Sequence, residues 1–333
     1  MHTTSRPLFS EQTQSPSLRK PLRKPAWLRR ALPRGKAFIR LDGRLRGLGL
    51  ATVCRSARCP NIAECFSSGT ATFLILGEIC TRTCTFCNIT SGDPSPPLDQ
   101  EPEQVSRAVA EMGLHYVVIT SVTRDDLPDG GAGHFARVVH RVKTDITGLR
   151  IEVLIPDFQG SRRALETVLE SGVDVLNHNL ETVAEFHAQV RPQADYFRSL
   201  ELLVRGRDWA EKKNRPLRTK SGLMLGMGET HDQLRRVFAD LAASGCDILT
   251  MGQYLAPSPA HHPVIRYVPP EEFVQLAELA KAAGIATVFS APLVRSSYHA
   301  SDVVNSPGDA DSPGIAASPC VPTGKTFNPN SAP

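Results

Sequence analysis

The sequence predicts an α/β fold built around a parallel (β/α) barrel, partial or complete, of about six to seven units behind an N-terminal extension. Short apolar runs alternate with amphipathic stretches at helical spacing, as in buried parallel strands that are joined by crossover helices. Several helical stretches end at a glycine, which the left-handed cap of a helix favours. The 333 residues are enough for one such barrel.

The elements follow one another in strict alternation. The predicted strands are 73–76, 115–122, 151–155, 173–180, a strand that includes 223–225, 247–254 and 285–289. The predicted helices are 103–112, 132–145, 161–171, 182–190, 194–213, 231–244 and 270–283. Thr230 and Gln233 have the spacing of a capping box before the helix at 231–244.

Composition divides the chain into four regions. Residues 1–47 hold twelve Lys or Arg against two acidic residues, and are predicted to be partly mobile. Residues 48–72 contain the first cysteines, and 73–300 contain the barrel and a serine motif. Residues 301–333 are rich in Pro, Gly, Ser and Ala, so we expect a disordered tail. The basic region is either a solvated tail or a surface for an acidic partner, a nucleic acid or an anionic lipid.

Length and hydropathy limit the location of the protein. No stretch approaches the roughly eighteen apolar residues of a membrane-spanning helix. The N-terminus also lacks the apolar core of a signal peptide, so we expect a cytoplasmic protein with no membrane association. The Ser-rich, acid-poor front end leaves a mitochondrial transit peptide open. In a reducing compartment, clustered cysteines indicate metal ligands rather than disulfides.

Six of the eight cysteines fall in two short runs. These are Cys54, Cys59 and Cys65, spaced C-x4-C-x5-C, and Cys80, Cys84 and Cys87, spaced C-x3-C-x2-C. Each run supplies one thiol fewer than a tetrahedral zinc site or a four-iron cluster takes. The sequence therefore predicts two metal centres, each with one position for another kind of ligand. Cys246 is expected to be a buried apolar residue and Cys320 to be incidental.

The second run directly follows the first predicted strand, where a barrel places catalytic residues. A zinc knuckle and a chance cluster of buried cysteines are the alternatives. Zinc sites usually combine two C-x2-C units, or one such unit with a histidine pair, and neither a second unit nor a histidine pair lies nearby. An iron–sulfur cluster is the favoured interpretation.

The C-x3-C-x2-C spacing with Phe86 before the last cysteine resembles the radical S-adenosylmethionine superfamily. The resemblance implies that the three thiolates bind a 4Fe-4S cluster whose fourth iron is chelated by S-adenosylmethionine. An electron from the cluster would then cleave the sulfonium to a 5′-deoxyadenosyl radical. By the same resemblance, Phe86 packs on the adenine.

Polar residues at the carboxyl ends of predicted strands are candidates for the rest of the cofactor pocket. They are Thr120, Ser121, Asn179 and Glu181. In a barrel mouth these side chains would contact the ribose or the methionyl group. For each of them, a hydrogen-bonded core residue is the competing interpretation.

The first cysteine run, placed just ahead of the radical motif, resembles the lipoyl synthase family. The match continues through residues 24–28, 58–61, 69–73, 119–122, 124–126, 177–181, 228–230, 252–255, 257–258 and 295–300. It covers about residues 24–300 and leaves both tails outside.

This second resemblance implies an auxiliary 4Fe-4S cluster that is held by the thiolates of the first run. Ser297 would complete its ligands, with Ser296 as the alternative and Arg295 as a nearby cation. Composition alone favours a turn or cap role for Ser297, and its position in an Arg-Ser-Ser-Tyr segment after the last predicted strand is what favours the ligand role. The auxiliary cluster would donate two sulfur atoms, inserted at C6 and C8 of an octanoyl group on a lysine.

The implied partners are octanoylated carrier domains of 2-oxoacid dehydrogenases or of the glycine cleavage system, with no nucleic acid. An electron donor such as ferredoxin or flavodoxin and an iron–sulfur carrier for cluster repair would complete the set. Because carrier domains are typically acidic, the basic front end is a candidate docking region. The alternatives are another radical sulfur-inserting enzyme such as a methylthiotransferase, an iron–sulfur electron carrier and a zinc-dependent nucleic-acid binder.

Overall fold

The computed structural model describes residues 22–29, 43, 47, 50–56, 61 and 72–297. Our predictions for most of the basic extension, for Cys59 and Cys65, and for 301–333 lie outside these residues. Of Cys54, only the backbone is described.

The described residues form ten strands. They are β1 (Ala51–Thr52), β2 (Thr72–Ile75), β3 (Ile79–Cys80), β4 (Thr90–Ser91), β5 (Tyr116–Ser121), β6 (Arg150–Leu154), β7 (Val175–Asn177), β8 (Arg218–Leu225), β9 (Ile248–Gln253) and β10 (Thr287–Ser290). The α-helices are α1 (Val53–Ser56), α2 (Glu101–Met112), α3 (Ala132–Asp145), α4 (Arg162–Glu170), α5 (His187–Val190), α6 (Tyr196–Lys213), α7 (His231–Ala243) and α8 (Pro270–Ala282). Short 3-10 turns occur at Ala26–Leu28, Phe158–Gly160 and Ala184–Phe186.

The main sheet has the strand order β1-β2-β5-β6-β7-β8-β9-β10. Strand β1 pairs antiparallel with β2, and the other seven strands are all parallel. Strands β1 and β10 stand at opposite edges and are not paired with each other. The predicted barrel is therefore confirmed in its partial, open form.

Each parallel strand pairs with the next parallel strand along the chain, and a helix lies in each connection. Crossovers of this kind are almost always right-handed, which places all the helices on one face of the sheet. One apolar cluster joins β2, β5 and β6 to α2, α3 and α4, and a second joins β8 and β9 to α7 and α8. The opposite face of the sheet is left to line the barrel interior.

Local sequence signals determine where the helices begin. Ser161 accepts a hydrogen bond from the N–H of Ala164 at the start of α4, and Asp195 accepts one at the start of α6. The capping box of Thr230 and Gln233 is present at α7, as predicted. Gly113 follows α2 with φ of 61°, a conformation that an L-residue rarely adopts.

The largest departure from the predicted elements lies after β7. This strand ends at Asn177 rather than at 180, and the predicted helix 182–190 is a 3-10 turn followed by the short α5. Glu181 has a φ of 67°, which breaks the extended backbone and leaves a single bridge to Leu223. The polar run 178–181 therefore follows β8 with irregular backbone pairing, including bonds from His178 to Lys220 and from Glu181 to Gly222, and lines the mouth of the barrel.

A layer of polar side chains lies inside the barrel, supplied by four adjacent strands. The ammonium group of Lys220 donates to both carboxylate oxygens of Glu152, at 3.0 and 2.9 Å, and both side chains are fully buried. Asn177 Nδ2 and Tyr116 Oη also donate to this carboxylate, each at 2.7 Å. Burial, followed by the charge of Glu152, raises the pKa of Tyr116 well above its ordinary value.

Removing the cation from this layer is expected to destabilise the fold strongly. Lys220→Met should lower the free energy of unfolding by about 3–5 kcal/mol, because it leaves a buried carboxylate without its cation. Adding Glu152→Gln should recover most of the loss. Denaturant unfolding under anaerobic conditions measures both effects. Lys281→Met, at an exposed ion pair with Glu278, is the control, and equal effects of the two lysine variants would contradict the assignment.

Candidate functional site

The chain leaves β2 through an unusual turn. Leu76 and Gly77 have φ angles of 68° and 91°, and a positive φ is uncommon for leucine. The N–H of Leu76 donates to the carboxylate of Glu101 at 2.9 Å, and Arg124 Nη1 donates to the carbonyl oxygen of Leu76 at 3.1 Å. These buried charged groups fix the turn, which directs the following residues away from the sheet.

Residues 77–91 form a loop that contains the second cysteine run, here called the cysteine loop. Its regular structure is limited to the two-residue strands β3 and β4. The Cys80 sulfur accepts from the backbone N–H groups of Arg82 and Thr123, at 3.4 and 3.3 Å. Cys87 accepts from the N–H of Ile89 at 3.5 Å. Backbone N–H groups of this kind stabilise thiolates.

The cysteine loop is anchored by Arg82. Its guanidinium forms a two-pronged pair with Asp125, at 2.6 and 3.0 Å, and a third bond to Asp157 at 2.7 Å. Arg198 forms a further ion pair with Asp157. Burial opposes the ionisation of Asp157, but Arg82 outweighs that effect and lowers the pKa of the carboxyl. The loop is thereby held to the ends of β5 and β6.

All three thiols of the cysteine loop are free and partly buried. Burial raises the pKa of Cys84, against the opposing charge of Arg191. Burial, with further contributions from the two neighbouring cysteines, raises the pKa of Cys87 to about 12. Three thiolates in such a place need a cationic centre to compensate for their mutual repulsion, and the irons of a cluster supply that charge.

No group of three or more His, Cys, Asp or Glu side chains in the described part of the chain is placed to hold a single metal ion. A four-iron cluster makes a different demand, because each of its thiolates binds a different iron. The three thiols of the loop are soft donors, which suit iron–sulfur chemistry.

A cavity of about 690 Å³ opens beside the cysteine loop at the carboxyl ends of the parallel strands. Every predicted site residue whose side chain is described lines it: Cys80, Cys84, Phe86, Cys87, Thr120, Ser121, Asn179, Glu181, Arg295, Ser296 and Ser297. Val53 and Asn61, from the segment of the first cysteine run, line the same cavity. The structure thus brings these residues together, and their individual roles remain predictions.

Several buried polar atoms of the cavity-lining residues have no hydrogen-bond partner. They are Asn61 Oδ1, Ser121 Oγ, His178 Nε2 and Asn179 Oδ1. A buried polar atom left unpaired is costly, so such atoms usually mark a bound ligand or water. The cavity therefore offers hydrogen-bonding capacity of the kind that a ribose and an amino acid group require.

His178 was not among the predicted site residues, although it lies inside the motif 177–181. Its Nδ1 lies 2.8 Å from the carbonyl oxygen of Ile155, and so must carry the proton. Burial lowers the pKa of His178 to about 4, and Arg191 adds to the shift. The ring is therefore neutral, and its buried Nε2 presents an unused lone pair.

Arg191 was also missed, because nothing in its local sequence marks it. Its Nη1 donates to the carbonyl oxygen of Asn179 at 2.8 Å, and the side chain is buried at the cavity wall. Nearby, Asn179 Nδ2 donates to Glu181 at 3.0 Å. Burial raises the pKa of Glu181, although Arg191 opposes the shift. These three residues form a charged corner of the cavity.

The structure bears differently on the predictions for Thr120 and Cys246. The hydroxyl of Thr120 donates to the carbonyl oxygen of Leu154 at 2.7 Å, so its proton serves the neighbouring strand. Only its lone pairs remain for a ligand. Cys246 is 4% exposed and belongs to the second apolar cluster, which confirms the interpretation as a core residue.

Comparison with known proteins agrees with this geometry. The model of the radical SAM superfamily matches residues 74–241, and the model of the N-terminal domain of lipoyl synthase matches residues 8–59. A lipoyl synthase of Nitratidesulfovibrio vulgaris is 52% identical over 298 residues, which are 90% of this chain and 97% of the relative. One from Methylococcus capsulatus is 53% identical over 281 residues, or 84% and 86% of the two chains.

Among solved structures, SuiB of Streptococcus suis bound to S-adenosylmethionine aligns with a TM-score of 0.50 and 10% sequence identity. The alignment covers 69% of this chain and 53% of SuiB, and supports the fold alone.

The open parallel barrel, with three thiols presented beside β2, defines a radical SAM enzyme, whose class uses a 4Fe-4S cluster and S-adenosylmethionine. The extent of the match to curated relatives identifies the family within that class. This chain belongs to the lipoyl synthase family, and is a sulfur-inserting enzyme. No helix in the described residues is long and apolar enough to cross a membrane.

Replacing Arg82 tests how the cysteine loop is anchored. Arg82→Met is expected to destabilise the protein by about 3–5 kcal/mol near neutral pH, because buried Asp157 loses the main cation that faces it. In the wild-type protein, Asp157 stabilises the fold at pH values above the ordinary pKa of aspartate, because its own pKa is lowered. This stabilisation is lost as the pH falls through the lowered pKa. In the variant, protonation instead relieves the unpaired carboxylate.

The stability difference between the two proteins should therefore shrink as the pH falls from about 7 to about 4. Urea unfolding across this range measures it. Arg141→Met removes an arginine that is paired with Glu103 and Asp145 on the surface, and should have little effect at any pH. A pH-independent loss in Arg82→Met would contradict the role of Asp157.

Proposed function

We propose that this chain converts an octanoyl-lysine of a carrier domain into lipoyl-lysine by inserting sulfur at C6 and C8. The proposal is supported by one observation above the others: the thiols of the cysteine loop line the same cavity as Arg295 and Ser297. A radical source and a sulfur donor that share one cavity can act on the same acyl chain.

Cys80, Cys84 and Cys87 would hold the 4Fe-4S cluster, which with S-adenosylmethionine supplies a 5′-deoxyadenosyl radical. Phe86 offers an aromatic face at the cavity wall for the adenine. Ser121, Asn179 and the neutral Nε2 of His178 offer acceptors for ribose hydroxyls and the amino group, and Thr120 adds a lone pair. Arg191 and Glu181 offer opposite charges for the carboxylate and the amino group of the methionyl part.

Cys54, Cys59 and Cys65 would hold an auxiliary 4Fe-4S cluster that serves as the sulfur donor. We propose Ser297 as its fourth protein ligand, with Ser296 as the neighbouring alternative and Arg295 as a cation that offsets the charge of the cluster. A serine oxygen is harder than a thiolate and is more easily released on protonation, which suits a cluster that is dismantled.

The four regions defined by composition take matching roles in this proposal. Region 48–72 would carry the auxiliary cluster, 73–300 the radical chemistry, and 1–47 the docking of an acidic carrier domain of a 2-oxoacid dehydrogenase or the glycine cleavage system. The enzyme would also need a low-potential electron donor, such as ferredoxin or flavodoxin, and an iron–sulfur carrier that repairs the auxiliary cluster. We place the reaction in the cytoplasm, where reducing conditions preserve free thiols.

Iron content and product analysis test the two-cluster proposal. The anaerobically prepared protein should hold about eight irons per chain. Cys80→Ala should abolish 5′-deoxyadenosine formation. Cys54→Ala should retain that step but abolish sulfur insertion, because only the donor is lost. Mass spectrometry of an octanoylated carrier measures the insertion, and loss of both products in Cys54→Ala would contradict two independent clusters.

Gly252 tests the position of the serine segment, residues 291–297. A Cβ at Gly252 would overlap the carbonyl oxygen of Val294, so the segment passes directly over β9. Gly252→Ala should displace Ser297 and lower the yield of lipoyl groups about tenfold or more. Deoxyadenosine formation should persist, because the cysteine loop is attached elsewhere. Unchanged lipoyl yield would contradict the role of the segment.

A further inference from the structure

Two asparagine side chains connect separate parts of the site. Asn88 Nδ2 donates to the carbonyl oxygen of Ser56 at 2.8 Å, and Asn61 Nδ2 donates to the carbonyl oxygen of Leu293 at 2.6 Å. The partners of the first bond are 32 residues apart in sequence, and those of the second are 232 apart. Both bonds therefore join segments that are distant along the chain.

The first bond joins the cysteine loop to the first cysteine run. Asn88 directly follows Cys87 and lines the cavity. Ser56 is the last residue of α1, the one-turn helix that includes Cys54. A single hydrogen bond thus links the residue after the last thiol of the loop to the helix that carries the first thiol of the other run.

The second bond joins the first cysteine run to the serine segment. Asn61 lies between Cys59 and Cys65 in the sequence, and is 1% exposed. Leu293 precedes Ser297 by four residues. The other end of this side chain, Asn61 Oδ1, is buried without a partner at the cavity. The amide therefore holds the serine segment with its N–H and leaves an acceptor for the cavity contents.

Both bonds require a short side chain that ends in a hydrogen-bond donor, because each acceptor is a backbone carbonyl oxygen. A backbone carbonyl accepts but does not donate, so an aspartate of the same shape would place one acceptor against another. Leucine keeps the branched shape of asparagine and offers no donor. Because Asn61 is buried, losing its bond would also leave the carbonyl of Leu293 short of a partner.

We propose that Asn88 and Asn61 are positioning residues that set the placement of the sulfur donor relative to the site of radical formation. The inference rests on the proposed function. Asn88 fixes α1 against the cysteine loop, and Asn61 fixes the serine segment against the first cysteine run. Two successive radical insertions require that both α1 and the serine segment be held in place. A displacement of about 1 Å at a reacting centre can cost about a hundredfold in rate.

The test compares Asn88→Leu and Asn61→Leu with the wild-type chain, each carrying both clusters. In Asn88→Leu, deoxyadenosine formation should change by less than about twofold. In both variants, the number of lipoyl groups formed per deoxyadenosine should fall by about tenfold or more. Thr167→Ala removes a comparable side-chain bond, to the carbonyl of Arg163 on the exposed face of α4, and should leave the ratio unchanged. Defective folding alone would lower both products together and leave their ratio intact.

A second measurement needs no turnover. Hydrogen–deuterium exchange should rise at 53–56 in Asn88→Leu and at 293–297 in Asn61→Leu, with no change in the other helices. An unchanged product ratio or unchanged exchange in these segments would overturn the proposal. A wild-type chain that forms deoxyadenosine and no lipoyl group would instead overturn the proposed function, and the exchange data would still decide whether the two bonds hold their segments.

Discussion

The pairing of Arg82 with Asp125 and Asp157 is the interaction on which the site depends. The cysteine loop has almost no regular structure, so its shape comes from bonds to its neighbours. A planar guanidinium fixes orientation as well as position, which a lysine in the same place would not do. Its positive charge also lies in the loop that brings three thiols together. Arg82 thus anchors the cysteine loop and partly offsets the negative charge of the thiolates that the loop carries.

The barrel interior contains two layers of polar groups that differ in one respect. In the lower layer, Lys220 donates to Glu152, which also accepts from Asn177 and Tyr116 on the neighbouring strands. In the upper layer, Ser121, His178 and Asn179 each retain a buried atom without a partner. In the lower layer the two buried charges are paired with each other, and Asn177 Oδ1 is the one buried atom of those side chains without a partner. The lower layer thus ties the strands together through an ion pair, whereas the upper layer presents three unpaired polar atoms from residues that line the cavity.

The alternation of strands and helices was predictable because every unit repeats the same apolar pattern and the capping signals are local. The short motif around Cys80 was equally clear, since spacing alone carries it. Arg191 and Arg82 were not recognised, because their partners come from distant strands and no local pattern marks such a pair. The early end of β7 was missed for a related reason: the backbone at Glu181 is set by the barrel mouth and not by the apolar run before it.

Among the described residues, the sheet stops at β1 on one side and at β10 on the other, and these two strands do not pair. A closed cylinder admits a guest only along its axis. An incomplete wall also admits one from the side, which matters when the guest is a fatty chain fastened to a bulky folded domain. Two carbons of such a chain, two positions apart, have to reach the reacting centre one after the other. In the described part of the chain, the open side between β1 and β10 would let the acyl chain move along its own length between the two events, while the domain that bears it stays outside.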